Sequence, residues 1–369
     1  MKSRAAVLTG SGKWEIVDLD VDDPKEGEVL LRFVAAGLCH SDEHSRLGEF
    51  QPRLPMIGGH EGAGVVEKVG PGVHDLRPGD HVVCSFIPSC GVCRYCSTGH
   101  QNLCDLGRYL LEGCALDETF RFHADGKDFG TMCLVGSFSQ YGVLSEHSCV
   151  KVPEHIPLET AVLVGCGVPT GWGAAVHTGE VGPGDIVIIY GIGGIGINAV
   201  QGACTAGARS VIAVDPLANK REAALKLGAT DAFATAEEAH DFTMALTNGA
   251  GADTSIITVG NLESDVVTAA FDVLAKGGIL VVVSLSAADD VNIHVPGFFL
   301  VNWERQIRGA MFGSSNPKYD ILKMLALYES GVLRLDELIT STYRLDEISQ
   351  GYEDMYSGKN IRGVILHEH

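Results

Sequence analysis

Four cysteines recur at short intervals between residues 90 and 104. Cys90, Cys93, Cys96 and Cys104 occur as C-x2-C-x2-C-x7-C. Arcs of this length bring four thiolates to the corners of one tetrahedron, which suits zinc because it favours soft sulfur ligands and has no geometric preference of its own. Four cysteine ligands leave no position for water or substrate, so such a zinc would be structural. Disulfides and an iron–sulfur cluster are the alternatives, although the C-x3-C-P continuation of bacterial ferredoxins is missing.

A glycine-rich turn follows a continuous apolar run at residues 186–190 and fits the pattern G-x-G-x-x-G. Its glycines are Gly191, Gly193, Gly194 and Gly196. Such glycines permit a tight turn, close approach of the backbone to a pyrophosphate, and packing of a helix on a strand. Asp215 ends the next apolar run, where a carboxylate accepts hydrogen bonds from a ribose and repels a 2′-phosphate. The spacing predicts a dinucleotide site that prefers NAD to NADP.

Cys39, His60 and Cys166 are isolated in the sequence, and only their neighbours make them significant. They lie in the segments 36–42 (AGLCHSD), 58–64 (GGHEGAG) and 164–167 (VGCG). These segments, the four cysteines, the glycine-rich turn and the closing residues 357–362 (SGKNIR) follow one order along essentially the whole chain. In these motifs the sequence resembles the zinc-dependent medium-chain alcohol dehydrogenases.

The resemblance implies that Cys39, His60 and Cys166 are the protein ligands of a catalytic zinc, with a fourth position for water or the substrate oxygen. Asp42 would hold the imidazole of His60 in one tautomer, and Glu61 matches a carboxylate behind the metal. Zinc in such a site lowers the pKa of the alcohol. Hydride then passes from the alcohol carbon to the nicotinamide. Two zinc ions and one NAD per chain are therefore expected.

The resemblance also implies a proton relay and contacts to the cofactor and substrate. Ser41 matches the hydroxyl that takes the alcohol proton, and His44 the histidine that passes it to solvent through the cofactor ribose. The implied contacts to the cofactor ribose and phosphates are His40, Lys220 and Arg362. Phe86 would line the substrate cleft.

Within the family, the segments 39–42 (CHSD), 85–90 (SFIPSC) and 119–123 (TFRFH) are similar to the actinobacterial nicotinoprotein alcohol dehydrogenases. In that group NAD(H) stays bound through turnover, and N,N-dimethyl-4-nitrosoaniline (NDMA) is the artificial acceptor. A thiol-adduct-dependent formaldehyde dehydrogenase is the alternative, and it needs charged groups at the mouth of its cleft. The loop 46–53 offers Arg46, Glu49 and Arg53 but places Phe50 at its centre. A catalytically silent binding or structural relative is a remote alternative, since every ligand and relay residue is present.

Two kinds of predicted structure must position these residues. Residues 1–86 contain short strands separated by Gly/Pro turns, which predicts a small β-barrel, GroES-like in this family. From about residue 185, apolar runs alternate with helical segments, which predicts a doubly wound α/β sheet of the Rossmann type. Residues 105–150 are turn-rich and remain unassigned. The predicted domains are 1–167 (GroES-like catalytic domain with the four-cysteine arm), 168–311 (Rossmann domain) and 312–369 (return to the catalytic domain).

Composition excludes several classes of partner. The net charge of −20 over 369 residues, without a Lys/Arg run, argues against nucleic acid and anionic membranes. No apolar stretch reaches the roughly 18 residues of a membrane helix, and the first residues lack the apolar core of a signal peptide. We therefore expect a cytoplasmic protein whose eleven cysteines are reduced. The resemblance implies a homo-oligomer, a dimer or tetramer, and the apolar run at residues 296–301 is a candidate interface.

Overall fold

The structure, a computed structural model, describes residues 1–287 and 289–369. The chain forms two compact units, and both of its ends belong to the same one. Unit 1 comprises Met1–Cys166, Asn316–Gly331 and Leu335–His369. Unit 2 comprises Gly167–Ser315 and Val332–Arg334.

Short strands separated by turns build the first part of unit 1. They are β1 (Lys2–Leu8), β2 (Glu15–Val21), β3 (Glu28–Gly37), β4 (Met56–Ile57), β5 (Glu61–Val69), β6 (His81–Cys84), β7 (Phe122–Ala124), β8 (Lys127–Thr131), β9 (Tyr141–Ser145) and β10 (Cys149–Lys151). The helices among them are α1 (His40–Leu47), α2 (Arg94–Ser97) and α3 (Leu158–Ala161). Strands β1, β2, β7, β8 and β4 close into a small barrel. The segment left unassigned by its sequence pattern therefore supplies two barrel strands, β7 and β8.

A parallel sheet with helical connections forms unit 2. Its strands are β11 (Ile186–Tyr190), β12 (Ser210–Val214), β13 (Asp231–Phe233), β14 (Ala252–Ile257), β15 (Leu274–Val282) and β16 (Gln306–Gly309). Its helices are α4 (Gly167–Gly173), α5 (Gly196–Thr205), α6 (Ala218–Lys226), α7 (Ala236–Leu246), α8 (Ser264–Asp272) and α9 (Gly297–Asn302). The strand order β13-β12-β11-β14-β15-β16 changes direction beside β11, where open α/β sheets bind their ligands. The doubly wound sheet predicted from the sequence is confirmed.

The C-terminal part of the chain returns to unit 1. It consists of α10 (Pro317–Glu329), β17 (Ile339–Tyr343), α11 (Ile348–Tyr356) and β18 (Arg362–Leu366). Strand β18 pairs antiparallel with β3, with Val364 opposite Gly37. It thereby joins a second sheet of order β10-β6-β5-β3-β18-β17, in which β9 also pairs with β3. This pairing places the start of β18, with Arg362, at the end of β3, two residues before Cys39.

Each unit has its own apolar core. In unit 1, one cluster joins α11 and β18 to the barrel, and it includes Leu38, Phe138, Tyr343, Tyr352 and Ile365. In unit 2, Ile188, Phe271 and Leu280 are fully buried around the parallel sheet. Each such side chain contributes about 1.5–3 kcal/mol by leaving water. In the described part of the chain, the helices are all too short or too polar to cross a bilayer.

Candidate zinc and dinucleotide sites

Potential ligands from three separate segments of the sequence converge inside unit 1. The ligand atoms of Cys39, His60, Glu61 and Cys166 all lie within 4.8 Å of one another, and the four residues are buried. Cys39 stands between β3 and α1, His60 immediately precedes β5, and Cys166 follows a short helical turn at Val162–Gly165. Every cysteine in the described residues is free, so this pair is not consumed by a disulfide. Two sulfurs and an imidazole match the donor set of a catalytic zinc.

Asp42 lies fully buried behind His60 and orients its imidazole. Its Oδ1 accepts a hydrogen bond from the Gly59 amide at 3.0 Å and lies 3.3 Å from His60 Nδ1. With Nδ1 so engaged, Nε2 is the nitrogen left for a metal. Burial alone would lower the pKa of His60, but the Asp42 carboxylate and the neighbouring sulfurs raise it well above its usual value. The pKa of Cys39 is lowered well below its usual value, chiefly because the Cys166 thiol hydrogen-bonds to it. Metal binding requires this thiolate form.

Glu61 and Arg362 form a buried ion pair beside these ligands. The Arg362 guanidinium hydrogen-bonds to Glu61 Oε2, and both side chains are almost completely excluded from solvent. Burial raises the pKa of Glu61 to about 7, although the charge of Arg362 opposes this shift. Gly37 leaves the space that the pair needs, because a Cβ at that position would lie 2.1 Å from Glu61 Oε2. The contact of Arg362 with a cofactor phosphate stays a prediction.

The predicted relay residues lie on α1. The Ser41 hydroxyl is 3.8 Å from Cys39 Sγ, which places it beside the candidate metal ligands. His44 is buried, its Nδ1 is hydrogen-bonded to Glu49, and its ring centroid is 5.4 Å from that of Phe50. The sequence indicated Glu49 only as a charged group at the mouth of the cleft, and not as a partner of His44. The only signal for this contact was local: an acidic residue two positions beyond the end of the helix that carries the histidine.

Two further predicted residues frame the same region. The ring of Phe86 meets that of His60 edge-on, with 5.6 Å between centroids. The role of Phe86 in lining the substrate cleft stays a prediction. His40, at the start of α1, is exposed, and its ring contacts Tyr356 with centroids 5.8 Å apart. Its contact with the cofactor pyrophosphate remains a prediction.

The four clustered cysteines also converge. Their sulfur atoms lie within 4.8 Å of one another, and those of Cys90 and Cys96 are 3.9 Å apart. Backbone amides point at the sulfurs: the Cys93 amide lies 3.4 Å from Cys90 Sγ, and the Cys90 amide lies 3.5 Å from Cys104 Sγ. Hydrogen bonds from the backbone amides of Asp105 and Cys96 lower the pKa of Cys93 to about 6. Four free sulfurs with amide donors fit a closed tetrahedral metal site.

The glycine-rich turn of unit 2 has the backbone that a dinucleotide requires. Gly191 has φ +89°, in the left-handed region that favours glycine. A Cβ on Gly196, the first residue of α5, would lie 1.9 Å from the Gly191 carbonyl oxygen. A Cβ on Gly193 would meet only open space, so this part of the loop can be approached closely. The Gly194 carbonyl accepts a hydrogen bond from Asn198 at 2.8 Å, which fixes the start of the helix.

Asp215, which was predicted to bind the ribose, is hydrogen-bonded to the backbone of this turn. Asp215 Oδ2 accepts a hydrogen bond from the Ile192 amide at 2.8 Å, and its Oδ1 accepts one from the Leu217 amide at 2.9 Å. Lys220 lies on α6, and burial lowers the pKa of its ammonium group although Asp215 partly opposes the shift. Asp215 therefore ties the glycine-rich turn to the end of β12, a role that the sequence pattern did not predict.

Comparison with known proteins gives a consistent result along the whole chain. Residues 25–154 match the alcohol dehydrogenase GroES-like domain, and residues 194–330 match the zinc-binding dehydrogenase domain. The NDMA-dependent alcohol dehydrogenase of Amycolatopsis methanolica is 56% identical over 368 residues, covering 100% of this chain and 99% of its own. Alcohol dehydrogenase B of Mycobacterium tuberculosis is 45% identical over 368 residues, covering 99% and 98%.

Solved structures agree with this. An alcohol dehydrogenase zinc-binding domain protein from Burkholderia ambifaria has a TM-score of 0.93 at 33% identity, with both chains fully covered. Benzyl alcohol dehydrogenase from Acinetobacter calcoaceticus has a TM-score of 0.92 at 29% identity, again with both chains fully covered. The predicted GroES-like and Rossmann architecture is confirmed.

Proposed function

The chain belongs to the zinc-dependent alcohol dehydrogenases, and we propose that it interconverts a primary alcohol and its aldehyde at the Cys39–His60–Cys166 site. The observation that carries the proposal is the convergence of these three ligands with Asp42 behind His60. When bound, zinc would polarise the alcohol oxygen and an NAD-type cofactor would accept the hydride.

The side chains around this site orient the ligand histidine and transfer the proton of the alcohol. Asp42 holds Nδ1 of His60 and so leaves Nε2 as the nitrogen that would bind the metal, and Phe86 lies next to that imidazole as an apolar neighbour. Ser41, close to Cys39, receives the alcohol proton, because a hydroxyl relays a proton without storing charge. His44 passes this proton on, and its imidazole is held in place by the hydrogen bond between its Nδ1 and Glu49.

The test is a ligand substitution with a metal count. Cys39→Ser is expected to abolish turnover and to remove one metal ion per chain, while the circular dichroism spectrum stays that of the wild type. Cys204→Ser is the matched control, since Cys204 is a half-buried thiol on α5 outside both metal-binding clusters. Wild-type turnover by Cys39→Ser would refute the assignment.

Two finer features are also proposed: a second, structural zinc at the four clustered cysteines, and NAD(H) that stays bound as a prosthetic group. The first rests on the four converging sulfurs. The second rests on 56% identity to an NDMA-dependent enzyme. Denaturing the purified protein should release about one NAD(H) and two zinc ions per chain. Zinc without nucleotide would show instead that the cofactor dissociates in each turnover.

The alternative, a thiol-adduct-dependent formaldehyde dehydrogenase, needs free charges in the loop 46–53. Arg46 is instead bound to the buried carboxylate of Glu43, and Glu49 is bound to His44. The Arg53 guanidinium stacks 4.1 Å from the centre of the Phe120 ring. These contacts favour a simple alcohol as substrate. Turnover of an S-hydroxymethyl thiol adduct far above that of simple alcohols would reverse this preference.

We also propose a homo-oligomer, a dimer or tetramer, that assembles through unit 2. The support is a group of exposed apolar side chains around α9, of which Val291, Phe298 and Val301 are 74%, 66% and 73% exposed. Monomeric proteins rarely leave such a patch in water.

We also propose a cytoplasmic location, which is supported by the free cysteines of the described residues.

A further inference from the structure

Tyr352 on α11 is buried near the proposed zinc site, between the aromatic side chains of Trp14 and Phe138. Its side chain is only 3% exposed, and its ring stacks on Trp14 with centroids 5.9 Å apart and planes 15° from parallel. Phe138 meets the same ring edge-on at 6.4 Å. The ring is therefore held in one orientation by two aromatic neighbours, and the position of its hydroxyl is fixed by that packing.

The hydroxyl of Tyr352 and Oδ2 of Asp42 are both buried, and neither makes a well-aligned hydrogen bond to any of the described residues. They are close neighbours: the Tyr352 ring stacks on Trp14, whose indole donates a hydrogen bond to Glu43, the residue next to Asp42. After burial, the Asp42 carboxylate is the next cause that raises the pKa of Tyr352 well above its usual value. A buried hydroxyl or acceptor that is left without a hydrogen bond costs the folded protein about 1–3 kcal/mol of stability. Such groups are therefore normally paired.

Other acceptors near the tyrosine are occupied. Glu43, the neighbouring carboxylate, accepts from Trp14 Nε1 at 3.2 Å and binds the guanidinium of Arg46 with both oxygens. Asp42 uses only its Oδ1, which serves the Gly59 amide and His60. One buried donor and one buried acceptor thus remain side by side, and each can satisfy the other.

We infer that Tyr352 is a positioning residue for the metal site: its hydroxyl donates a hydrogen bond to Asp42 Oδ2, so that Oδ1 stays on His60 Nδ1. The inference rests on the proposed function, because His60 is a metal ligand only there. The contact links His60, through Asp42, to Tyr352 on helix α11, which lies 310 residues after Asp42 in the sequence. Partners behind a ligating histidine typically change metal affinity by about 10–100-fold when removed.

The test measures metal release from the intact protein to a chromophoric chelator, 4-(2-pyridylazo)resorcinol, without substrate. Tyr352→Phe keeps the stacked ring and removes only the hydroxyl, and we expect one metal ion per chain to leave about 10-fold faster. Tyr343→Phe is the matched control. Tyr343 lies in the same apolar cluster, but its hydroxyl donates to Asp354 at 2.9 Å and accepts from Asn360 at 3.1 Å. That variant is expected to release metal at the wild-type rate.

Two readouts separate positioning from general loosening of the fold. With Co²⁺ in place of zinc, the visible absorption bands should shift in Tyr352→Phe and not in Tyr343→Phe. In an Asp42→Asn background, Tyr352→Phe should change the release rate by less than about 2-fold, since coupled residues are not additive. Equal release by Tyr352→Phe and wild type, or equal acceleration by both Phe variants, would overturn the inference. If Cys39→Ser holds as much metal as wild type, the proposed function itself fails, which is a distinguishable outcome.

Discussion

Arg362 and Glu61 are 301 residues apart in sequence and form one of the most deeply buried ion pairs of unit 1. The pair exists because β18 runs antiparallel to β3, which places Arg362 beside the start of β5. Their charges compensate each other where neither can be solvated. A buried pair of this kind is costly to assemble and still more costly to break, since one charge is then left alone.

The first prediction is that Arg362→Met lowers the free energy of unfolding by about 3–5 kcal/mol, because it leaves the Glu61 carboxylate buried without its counter-charge. Denaturant unfolding of the variant and the wild type measures the difference. Arg4→Met is the matched control: Arg4 pairs with Asp346 at 2.8 Å, but both side chains are about half exposed, so the expected loss is below about 1 kcal/mol. Similar losses in the two variants would contradict the prediction.

Much of this architecture was predictable from the sequence, for identifiable reasons. The buried strands of the parallel sheet are continuous apolar runs, and Ile186–Tyr190 was predicted at its observed bounds. The four clustered cysteines signal a site through their spacing alone. Cys39, His60 and Cys166 carry no such signal, and only the resemblance to a family singled them out.

What the sequence could not show are contacts between distant elements. The β3–β18 pairing, which brings Arg362 to Glu61, is not written in any local pattern. In the sequence, Tyr352 is one apolar position of a predicted helix, and none of the residues next to it in the sequence indicates a contact with Asp42. Side chains from distant elements meet as a result of tertiary packing, which periodicity does not encode.

Glu49 supports a second prediction, on the proposed relay. Glu49→Ala should lower kcat about 10-fold, because the imidazole of His44 loses the group that holds its Nδ1, and small misplacements of catalytic groups are costly. His44→Gln should lower kcat by about 100-fold, the usual scale of acid–base contributions. Leu47→Ala, on the last turn of the same helix and 53% exposed, is the control. If Glu49→Ala turns over like Leu47→Ala, Glu49 does not position His44.

The four clustered cysteines lead to a prediction about stability rather than activity. Cys93→Ser should remove one zinc ion per chain and lower the temperature of half-inactivation, because a structural metal contributes its binding free energy to folding. The initial rate at low temperature should stay within about 2-fold of wild type, since a closed four-cysteine site leaves no position for substrate. Metal analysis and heat inactivation check both points. An unchanged inactivation temperature with one zinc lost would show that this metal does not stabilise the fold.

Asp215 should influence both the choice of cofactor and its retention. Asp215→Gly removes the carboxylate that repels a 2′-phosphate, and it also removes the acceptor of the Ile192 amide that fixes the glycine-rich turn. We therefore expect weaker binding of both dinucleotides and a higher proportion of NADP. After incubation with equal NAD and NADP, the bound nucleotides are released and quantified. An unchanged NAD to NADP ratio would remove Asp215 from ribose recognition.

The exposed apolar side chains around α9 give the last prediction. Phe298→Asp should convert the oligomer to a monomer, because a carboxylate cannot be buried unpaired in an apolar contact between copies. Phe298 is 66% exposed, and Tyr319→Asp is a matched control because Tyr319, on α10, is 64% exposed. Sedimentation velocity should give the mass of a dimer or tetramer for the wild type and for Tyr319→Asp, and that of a monomer for Phe298→Asp. A Phe298→Asp protein of unchanged mass would show that copies associate through another surface, and a monomeric wild type would show that they do not associate.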